Sequence, residues 1–179
     1  MAGARAYPGI VGLFLLAAAC STGAPPSVEN APATIRLTSP AFGDGQRVPN
    51  EFTCDARDLR PPLDWSGGPN AAEYAIAMVD TDADFVHWLL FGVPGTVHGV
   101  ISGPLPNGAV EGANDFNKVG YGGPCPPSGD APHHYEFTVY ALSSAASGRL
   151  RAAATPDEFF RVIACCVVAK GTLVGTFSR

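Results

Sequence analysis

Glycine and proline interrupt this chain so often that long helices have little room to form. The sequence contains 21 glycines and 17 prolines in 179 residues, spread between short apolar runs. Glycine favours turns and proline removes a backbone donor, so this pattern is typical of strands joined by many turns. We therefore predict an all-β domain. Its strands are expected at 35–38, 73–80, 87–93, 135–142 and 172–177.

One segment late in the chain carries a helix signal. Thr155 stands at an N-cap position, Pro156 at the first helical position and Glu158 at the capping-box position. An apolar stripe follows, made of Phe159, Val162, Ile163 and Cys166. These signals predict an amphipathic helix from Pro156 to about Val168 that packs on a sheet. Gly171 is expected to mark the return to extended structure.

The N-terminus has the layout of a secretory signal. Arg5 precedes an uncharged apolar run, 9–19, that ends in small residues before Cys20. The run is shorter than the roughly 20 residues that a membrane-spanning helix needs. Residues 16–20 resemble a bacterial lipobox, in which cleavage leaves the cysteine as a lipid-modified N-terminus. The sequence thus predicts lipidation of Cys20, with ordinary secretion as the alternative.

The rest of the chain is expected to form one envelope-located domain. We predict a signal peptide at 1–19, a lipidated N-terminus with a flexible tether at 20–32, and a folded domain at 33–179, a common domain size. The net charge is −5, and the basic residues are scattered along the chain. Nucleic acid is therefore not an expected partner, because no basic patch is available for a phosphate backbone.

Four cysteines remain after Cys20, an even number in a chain with an export signal. Cys54 and Cys125 both lie in loop-like surroundings with prolines, and we predict a disulfide between them. Cys165 and Cys166 are adjacent in an apolar run, where two small buried residues are a better interpretation than a reactive pair.

A rigid loop next to a histidine is the first candidate binding element. Residues 122–127 read Gly-Gly-Pro-Cys-Pro-Pro, and His133 begins the strand-like run that follows. Glycines let a ligand approach backbone amides, and prolines stiffen the surrounding chain. These features predict a preformed anion pocket, with His134 pointing away from it on the opposite face of the strand.

A cluster of carboxylates precedes a second histidine. Asp80 and Asp82 are expected on one side of the chain where a strand meets a loop, and His87 opens the next strand near the same rim. A carboxylate beside a histidine favours imidazolium, which attracts anions. Capping of a turn is the simpler interpretation of the acidic residues. Calcium is disfavoured because Phe85 and Phe91 occupy positions that an EF-hand reserves for glycine and glutamate.

Catalysis has little support in the sequence. There is no G-x-S-x-G motif, and no short histidine spacing typical of a helical zinc enzyme. A hydrolase using Asp82 and His87 as acid and base is kept only as a minor alternative. No cofactor is predicted.

Several motifs in order resemble the phosphatidylethanolamine-binding protein family, most closely its bacterial, Raf-kinase-inhibitor-like branch. The matching segments are 37–42, 52–55, 61–65, 80–88, 112–116, 120–127, 133–137 and 173–177. The resemblance implies a large antiparallel sheet packed on a smaller one, with one or two short peripheral helices and a small pocket for phosphate-bearing head groups. It assigns the pocket to Asp80, Asp82, His87, Gly122, Gly123, Pro124, His133 and Tyr135. This chain departs from the family pattern at Thr81, Asp84, His134 and Cys166.

The predicted function is a non-catalytic binding protein anchored in the envelope, whose ligand is a small anionic or phosphorylated molecule. The alternative from another class is a protein-interaction module, such as a protease or kinase inhibitor, because relatives in this family resemble inhibitors.

Overall fold

The computed structural model of the protein describes residues 28–179, so the predicted signal peptide and Cys20 lie outside the described residues. Within that range there are nine strands, one α-helix and a short 3-10 helix at Asn50–Phe52. The strands are β1 Ile35–Thr38, β2 Gln46–Arg47, β3 Leu63–Gly67, β4 Glu73–Asp80, β5 Phe85–Pro94, β6 Gly99–Val100, β7 Val110–Glu111, β8 His133–Leu142 and β9 Val167–Phe177; the helix is α1 Pro156–Ile163.

The strands form two sheets, as predicted. Six of them pair in the order β2-β9-β8-β4-β5-β7, and three pair in the order β1-β3-β6. All pairings are antiparallel except that of β2 with β9. The mainly β fold with a large and a small sheet is therefore confirmed, with α1 the only α-helix of the described residues.

The large sheet is covered on both faces, which explains the continuous apolar character of β4. Ile76 and Met78 belong to the core between the two sheets, together with Trp65 of the small sheet. Ala75 and Ala77, which alternate with them, belong to a second core on the opposite face. A strand buried on both faces reads as an unbroken apolar run, since both sets of alternating side chains avoid water.

The helix begins as predicted but ends earlier. The Thr155 side chain accepts a hydrogen bond from the Glu158 amide, and the Glu158 carboxylate accepts one from the Thr155 amide, which completes the capping box. The helix nevertheless stops at Ile163. Extension to Val168 is wrong because Val167 already pairs with Leu142 of β8. Side chains from residue 167 onward alternate between buried and less buried positions, which is the period of a strand.

The predicted boundary between tether and domain is also placed too late. The Pro32 carbonyl accepts a hydrogen bond from the Lys170 amide at 2.9 Å, and the Lys170 ammonium donates to the Glu29 carbonyl at 2.9 Å. Val28 and Ala31 pack against the core beneath the helix. Residues 28–32 thus belong to the folded body instead of a free tether.

Two disulfides close within the described residues. Cys54 and Cys125 are bonded, with their Cα atoms 5.4 Å apart across a separation of 71 residues, so the predicted bridge is confirmed. Closing a loop of this length stabilises the fold by about 4 kcal/mol on the chain-entropy account. Cys165 and Cys166 are bonded to each other. Their interpretation as two small buried residues is wrong, because Cys165 is exposed and the pair is oxidised.

Neither a membrane helix nor a metal cluster is found in the described range. Between residues 28 and 179 no helix is long and apolar enough to cross a membrane. In the same range, no group of three or more His, Cys, Asp or Glu side chains could hold a metal ion.

Gly171 lies inside β9 and does not begin it, so the role predicted for this glycine is wrong. The two sheets approach each other closely here, since a Cβ atom at this position would collide with the carbonyl oxygen of Ile35 in β1. Gly148, by contrast, has open space where its Cβ would lie.

We expect Gly171→Ala to lower the free energy of unfolding by about 2 kcal/mol, because an added methyl group must push β1 away from β9. Urea unfolding under non-reducing conditions, followed by circular dichroism, measures the change as a lower midpoint. Gly148→Ala is the matched control and should leave the midpoint nearly unchanged. Equal midpoints for the two variants would contradict the close sheet contact.

Candidate functional site

Three adjacent strands bring the candidate side chains to one end of the large sheet. Asp80, the last residue of β4, stands opposite Tyr135 of β8 and opposite Phe85 of β5. Between Asp80 and Phe85 lies only a four-residue turn. The antiparallel register therefore gathers at one rim the acidic turn, the beginning of β5 with His87, and the beginning of β8 with His133.

The Asp80 carboxylate both caps this turn and binds a histidine. Its Oδ1 accepts hydrogen bonds from the amides of Asp82 at 3.0 Å and Ala83 at 3.2 Å. Its Oδ2 lies 2.7 Å from Nδ1 of His133. The turn-capping interpretation of the acidic cluster is thus correct for Asp80, and the same side chain orients an imidazole.

His133 is the histidine of the site whose charged form Asp80 favours. The hydrogen bond to Asp80 raises the pKa of His133 above its ordinary value, while partial burial opposes this rise. The charges of Asp80, Asp82 and Asp130 add to the increase, and the Asp130 carboxylate lies 3.9 Å from Nε2 of His133. The shift has the direction expected for a histidine beside a carboxylate.

His87 behaves in the opposite way. The side chain is buried, and its Nδ1 lies 2.7 Å from the Gly122 carbonyl oxygen, so Nδ1 carries the proton and donates it. Burial lowers the pKa of His87; the Gly122 carbonyl and the Asp80 charge oppose this shift but do not overcome it. The prediction of an imidazolium is therefore wrong for His87, because desolvation penalises its charged form. The neutral ring presents Nε2 as an acceptor.

The glycine-rich loop supports the site from beneath. The Gly122 amide donates to the His87 carbonyl at 3.0 Å, and the Gly123 amide donates to the Asp58 carboxylate at 2.7 Å. A Cβ atom on Gly123 would collide with the Phe52 carbonyl oxygen. The Pro124 carbonyl accepts from the Cys54 amide. The prediction that these amides are open to a ligand is wrong, since both glycines are buried and their N–H groups donate hydrogen bonds within the protein.

Asp82 is paired with the neighbouring histidine. Its Oδ2 accepts a hydrogen bond from the His134 amide at 2.6 Å and lies 3.0 Å from His134 Nδ1. The amide hydrogen bond is the main cause of a lowered pKa for Asp82, followed by the imidazole hydrogen bond. Asp82 and His134 lie outside the hollow described below. The two residues of the hydrolase alternative each have another partner, since the Asp82 carboxylate contacts His134 and the His87 ring contacts Gly122.

The pocket itself is a small, half-open hollow of about 130 Å³. It is lined by Asp80, Ala83, Phe85, His87, Phe116, Cys125, Pro126, Pro127 and His133. Three of the predicted site residues line it directly: Asp80, His87 and His133. A larger hollow of about 590 Å³ lies between loops at 67–72 and 94–98, but its only charged or imidazole side chain is His98.

The aromatic wall is the part of the site that sequence reasoning missed. Phe85 and Phe116 meet edge to face, with ring centroids 4.7 Å apart, and each packs against the His87 ring. Phe85 could have been found from the sequence, since it lies two residues before His87 and thus on the same face of β5. Phe116 comes from a distant loop and offers no such signal.

Tyr135 lies behind the two imidazoles. Its ring is perpendicular to His87, with centroids 5.2 Å apart, and stacks at 6.4 Å on His133. Burial, reinforced by the nearby Asp80 charge, raises the pKa of Tyr135. Its hydroxyl oxygen is buried and lacks a hydrogen-bond partner within residues 28–179.

Asn114 holds the loop that carries Phe116. Its side-chain amide donates to the carbonyls of Gly120 and His87, at 3.0 and 3.3 Å. Its side-chain oxygen accepts from the amides of Phe116 and Lys118. A buried amide with all four hydrogen bonds made fixes both the loop and the backbone of the β5 histidine.

Comparison with known proteins identifies the family of this chain. The family model described as phosphatidylethanolamine-binding protein matches residues 38–178. The chain belongs to the phosphatidylethanolamine-binding protein family. The match spans both sheets and all the candidate pocket residues, so the family resemblance noted in the sequence is confirmed.

Relatives occur in bacteria and archaea. The chain is 39% identical over 152 residues to "Putative lipoprotein LppC" of Mycobacterium tuberculosis, covering 82% of this chain and 75% of the relative. It is 34% identical over 155 residues to a UPF0098 protein of Methanothermobacter thermautotrophicus, covering 81% and 99% of the two chains.

Two crystal structures share the fold. One is Escherichia coli YbcL, described as a member of the mammalian PEBP family, with 27% identity and a TM-score of 0.75 over 82% of this chain and 99% of that one. The other is the PEBP homologue CT736 of Chlamydia trachomatis, with 29% identity and a TM-score of 0.74 over 82% and 98%.

We expect Asp80→Asn to lower the pKa of His133, because the variant removes both the charge and the acceptor that favour imidazolium. Titration of the histidine ring protons by NMR measures this shift. In the wild-type protein His133 should titrate above, and His87 below, the ordinary histidine value of about 6.5. Asp84→Asn, on the exposed side of the same turn, is the control and should leave His133 unchanged.

The same pKa shifts give the sign of the pH dependence of stability. The Asp80 contact with His133 stabilises the fold fully below about pH 6.5, and this contribution is lost as the pH rises through the raised pKa. Neutral His87 contributes to the stability of the fold above about pH 6.5, and this contribution is lost as the pH falls through its lowered pKa. If the pKa of His133 is the same in Asp80→Asn as in the wild-type protein, Asp80 does not favour the charged form of His133.

Proposed function

We propose that this protein is a non-catalytic binding protein, held in the cell envelope by a lipid on Cys20, whose pocket takes a small anionic ligand such as a phosphorylated head group. The observation that carries the proposal is the pair of imidazoles in one hollow, with the pKa of one raised by its hydrogen bond to Asp80 and the pKa of the other lowered by burial.

The size of the hollow supports a small ligand group. Its volume of about 130 Å³ is below the roughly 300 Å³ at which drug-sized pockets begin. A phosphate or carboxylate group fits such a space, whereas an entire phospholipid would have to leave its chains outside. The walls of Phe85, Phe116, Pro126 and Pro127 are rigid, so little ordering is needed on binding.

The two imidazoles have different roles in this proposal. His133 donates a charge-assisted hydrogen bond to an anionic oxygen of the ligand. His87 offers a lone pair on Nε2, so it accepts a hydrogen bond from a ligand hydroxyl, ammonium or protonated phosphate. Asp80 sets the charge of His133, and the Gly122 carbonyl sets the tautomer of His87.

Five of the predicted residues support the pocket in this proposal and do not contact the ligand: Gly122, Gly123, Pro124, Asp82 and Tyr135. The loop residues hold His87 and the proline wall, Asp82 fixes His134 at the start of β8, and Tyr135 supports both rings. A ligand with both an acceptor and a donor, such as phosphoethanolamine, should therefore bind better than inorganic phosphate.

Calorimetric titration with phosphoethanolamine and with inorganic phosphate tests the proposal. We expect affinity to fall as the pH rises through the raised pKa of His133, since the imidazolium is then lost. His133→Gln should weaken binding roughly tenfold or more, because a hydrogen bond to a charged group is lost. His87→Gln should weaken phosphoethanolamine binding more than phosphate binding.

His134→Gln is the matched control, since His134 is the next residue on β8 but contacts Asp82 outside the hollow. It should leave both affinities unchanged. Binding that is insensitive to both His87→Gln and His133→Gln would refute the proposed pocket.

Anchoring at Cys20 is supported by the lipobox-like segment and by a relative whose name includes the word lipoprotein. Expression of the full chain in a bacterium, followed by mass spectrometry of the mature N-terminus, should find a lipid-modified Cys20. Cys20→Ser should abolish both the modification and partition into detergent. A mature protein that begins at another residue would contradict this part of the proposal.

A further inference from the structure

The turn between α1 and β9 carries a disulfide between adjacent residues, Cys165 and Cys166, far along the chain from the pocket loops. The two sulfurs are in different environments. Cys165 is exposed, whereas Cys166 is 7% exposed and packs against the core beneath the helix. An incoming reagent can therefore reach the Cys165 sulfur much more easily than the Cys166 sulfur.

Arg149 contacts both sulfurs of this pair. Its Nη1 lies 3.0 Å from Cys165 Sγ, and its Nη2 lies 2.9 Å from Cys166 Sγ. The hydroxyl of Ser144 lies 3.2 Å from Cys166 Sγ. A disulfide sulfur is a weak acceptor, whereas a thiolate in the same place would accept charge-assisted hydrogen bonds. The donors are thus arranged for the reduced form, and two of them face Cys166.

The surface beside the pair is positively charged. Arg149 also lines a hollow of about 240 Å³ together with Arg151 and Arg161, where Glu158 is the only acidic residue. This arrangement attracts an anionic reagent in a chain whose net charge is −5. The nucleophile of thiol–disulfide exchange is a thiolate, which carries the required negative charge.

We propose that Cys165–Cys166 is a thiol–disulfide exchange site for a dithiol reductant, with Arg149 and Ser144 as positioning residues. A thiolate of the reductant attacks Cys165 Sγ, a mixed disulfide forms, and the bond to Cys166 breaks. The electron pair of that bond stays on Cys166 as a thiolate, which Arg149 and Ser144 stabilise through hydrogen bonds.

The second thiol of the reductant completes the exchange. As a thiolate it attacks the reductant sulfur of the mixed disulfide, which releases Cys165 as a thiolate and closes a disulfide in the reductant. Two electrons and two protons pass from the dithiol to the cysteine pair, so the step balances without another reactant. The reverse reaction re-forms the Cys165–Cys166 bridge and reduces a disulfide of the partner to a dithiol.

The Cys54–Cys125 bridge is the internal reference for reactivity. Both of its cysteines are half-buried, and it closes a loop across 71 residues. Opening this bridge therefore removes the stabilisation that loop closure provides, whereas a bridge between adjacent residues closes no long loop. Dithiothreitol at neutral pH, with alkylation of free thiols at timed intervals and peptide mass spectrometry, measures the two bridges in one sample of folded protein.

We expect the Cys165–Cys166 bridge to open at least about tenfold faster than the Cys54–Cys125 bridge. A monothiol probe, glutathione, should be trapped as an adduct on Cys165 and not on Cys166. Arg149→Gln should slow opening of the adjacent pair about tenfold, since the leaving thiolate loses its strongest donor. Ser144→Ala should slow it less.

Arg151→Gln is the matched control, because Arg151 lines the same charged hollow but has no hydrogen bond to either sulfur between residues 28 and 179. It tests general charge attraction and should have a smaller effect than Arg149→Gln. Circular dichroism checks that each variant is folded. If Arg149→Gln does not fold, the proposal is tested by the opening rate of Ser144→Ala and by which cysteine carries the glutathione adduct. The proposal is overturned by equal opening of the two bridges, by an adduct on Cys166, or by equal effects of the two arginine variants.

Discussion

The antiparallel register of β8, β4 and β5 is the constraint on which the candidate site depends. It places Asp80 opposite Tyr135 on one side and opposite Phe85 on the other. Side chains alternate along a strand, so a slip of one residue would turn the wrong set toward the rim. The register is secured because β4 is buried on both faces, with Ile76 in one core and Ala77 in the other. Site geometry is thus a consequence of core packing.

Within this frame, one carboxylate lies near two imidazoles that respond in opposite directions. His133 has a direct hydrogen bond to Asp80 and is partly exposed, so the ion pair raises its pKa. His87 binds the Gly122 carbonyl through Nδ1 and is almost completely buried, so desolvation lowers its pKa. The charged form is thus favoured in His133 and the neutral form in His87, a combination suited to a ligand that offers both an acceptor and a donor.

The loop from Gly122 to Cys125 shows how rigid residues can serve a site without touching a ligand. Gly122 exchanges two hydrogen bonds with His87, one through each of its backbone groups. Gly123 lies so close to the Phe52 backbone that no larger residue fits. The disulfide to Cys54 then anchors the loop, and Pro126 and Pro127 beyond it form one wall of the hollow. The glycines are needed for close packing, and the prolines for the wall.

Local patterns in the sequence were sufficient for the elements whose signals are local. They predicted the bounds of β4, the start of α1 at its capping box and the Cys54–Cys125 bridge, because an apolar run bounded by turn residues, cap chemistry and cysteine surroundings can each be recognised in a short stretch of sequence. Only the tertiary structure decided where the helix yields to β9, that His87 stays neutral, and that Cys165 and Cys166 are bonded beside Arg149. These outcomes depend on pairing and burial between segments far apart in the chain, which local residue patterns do not encode.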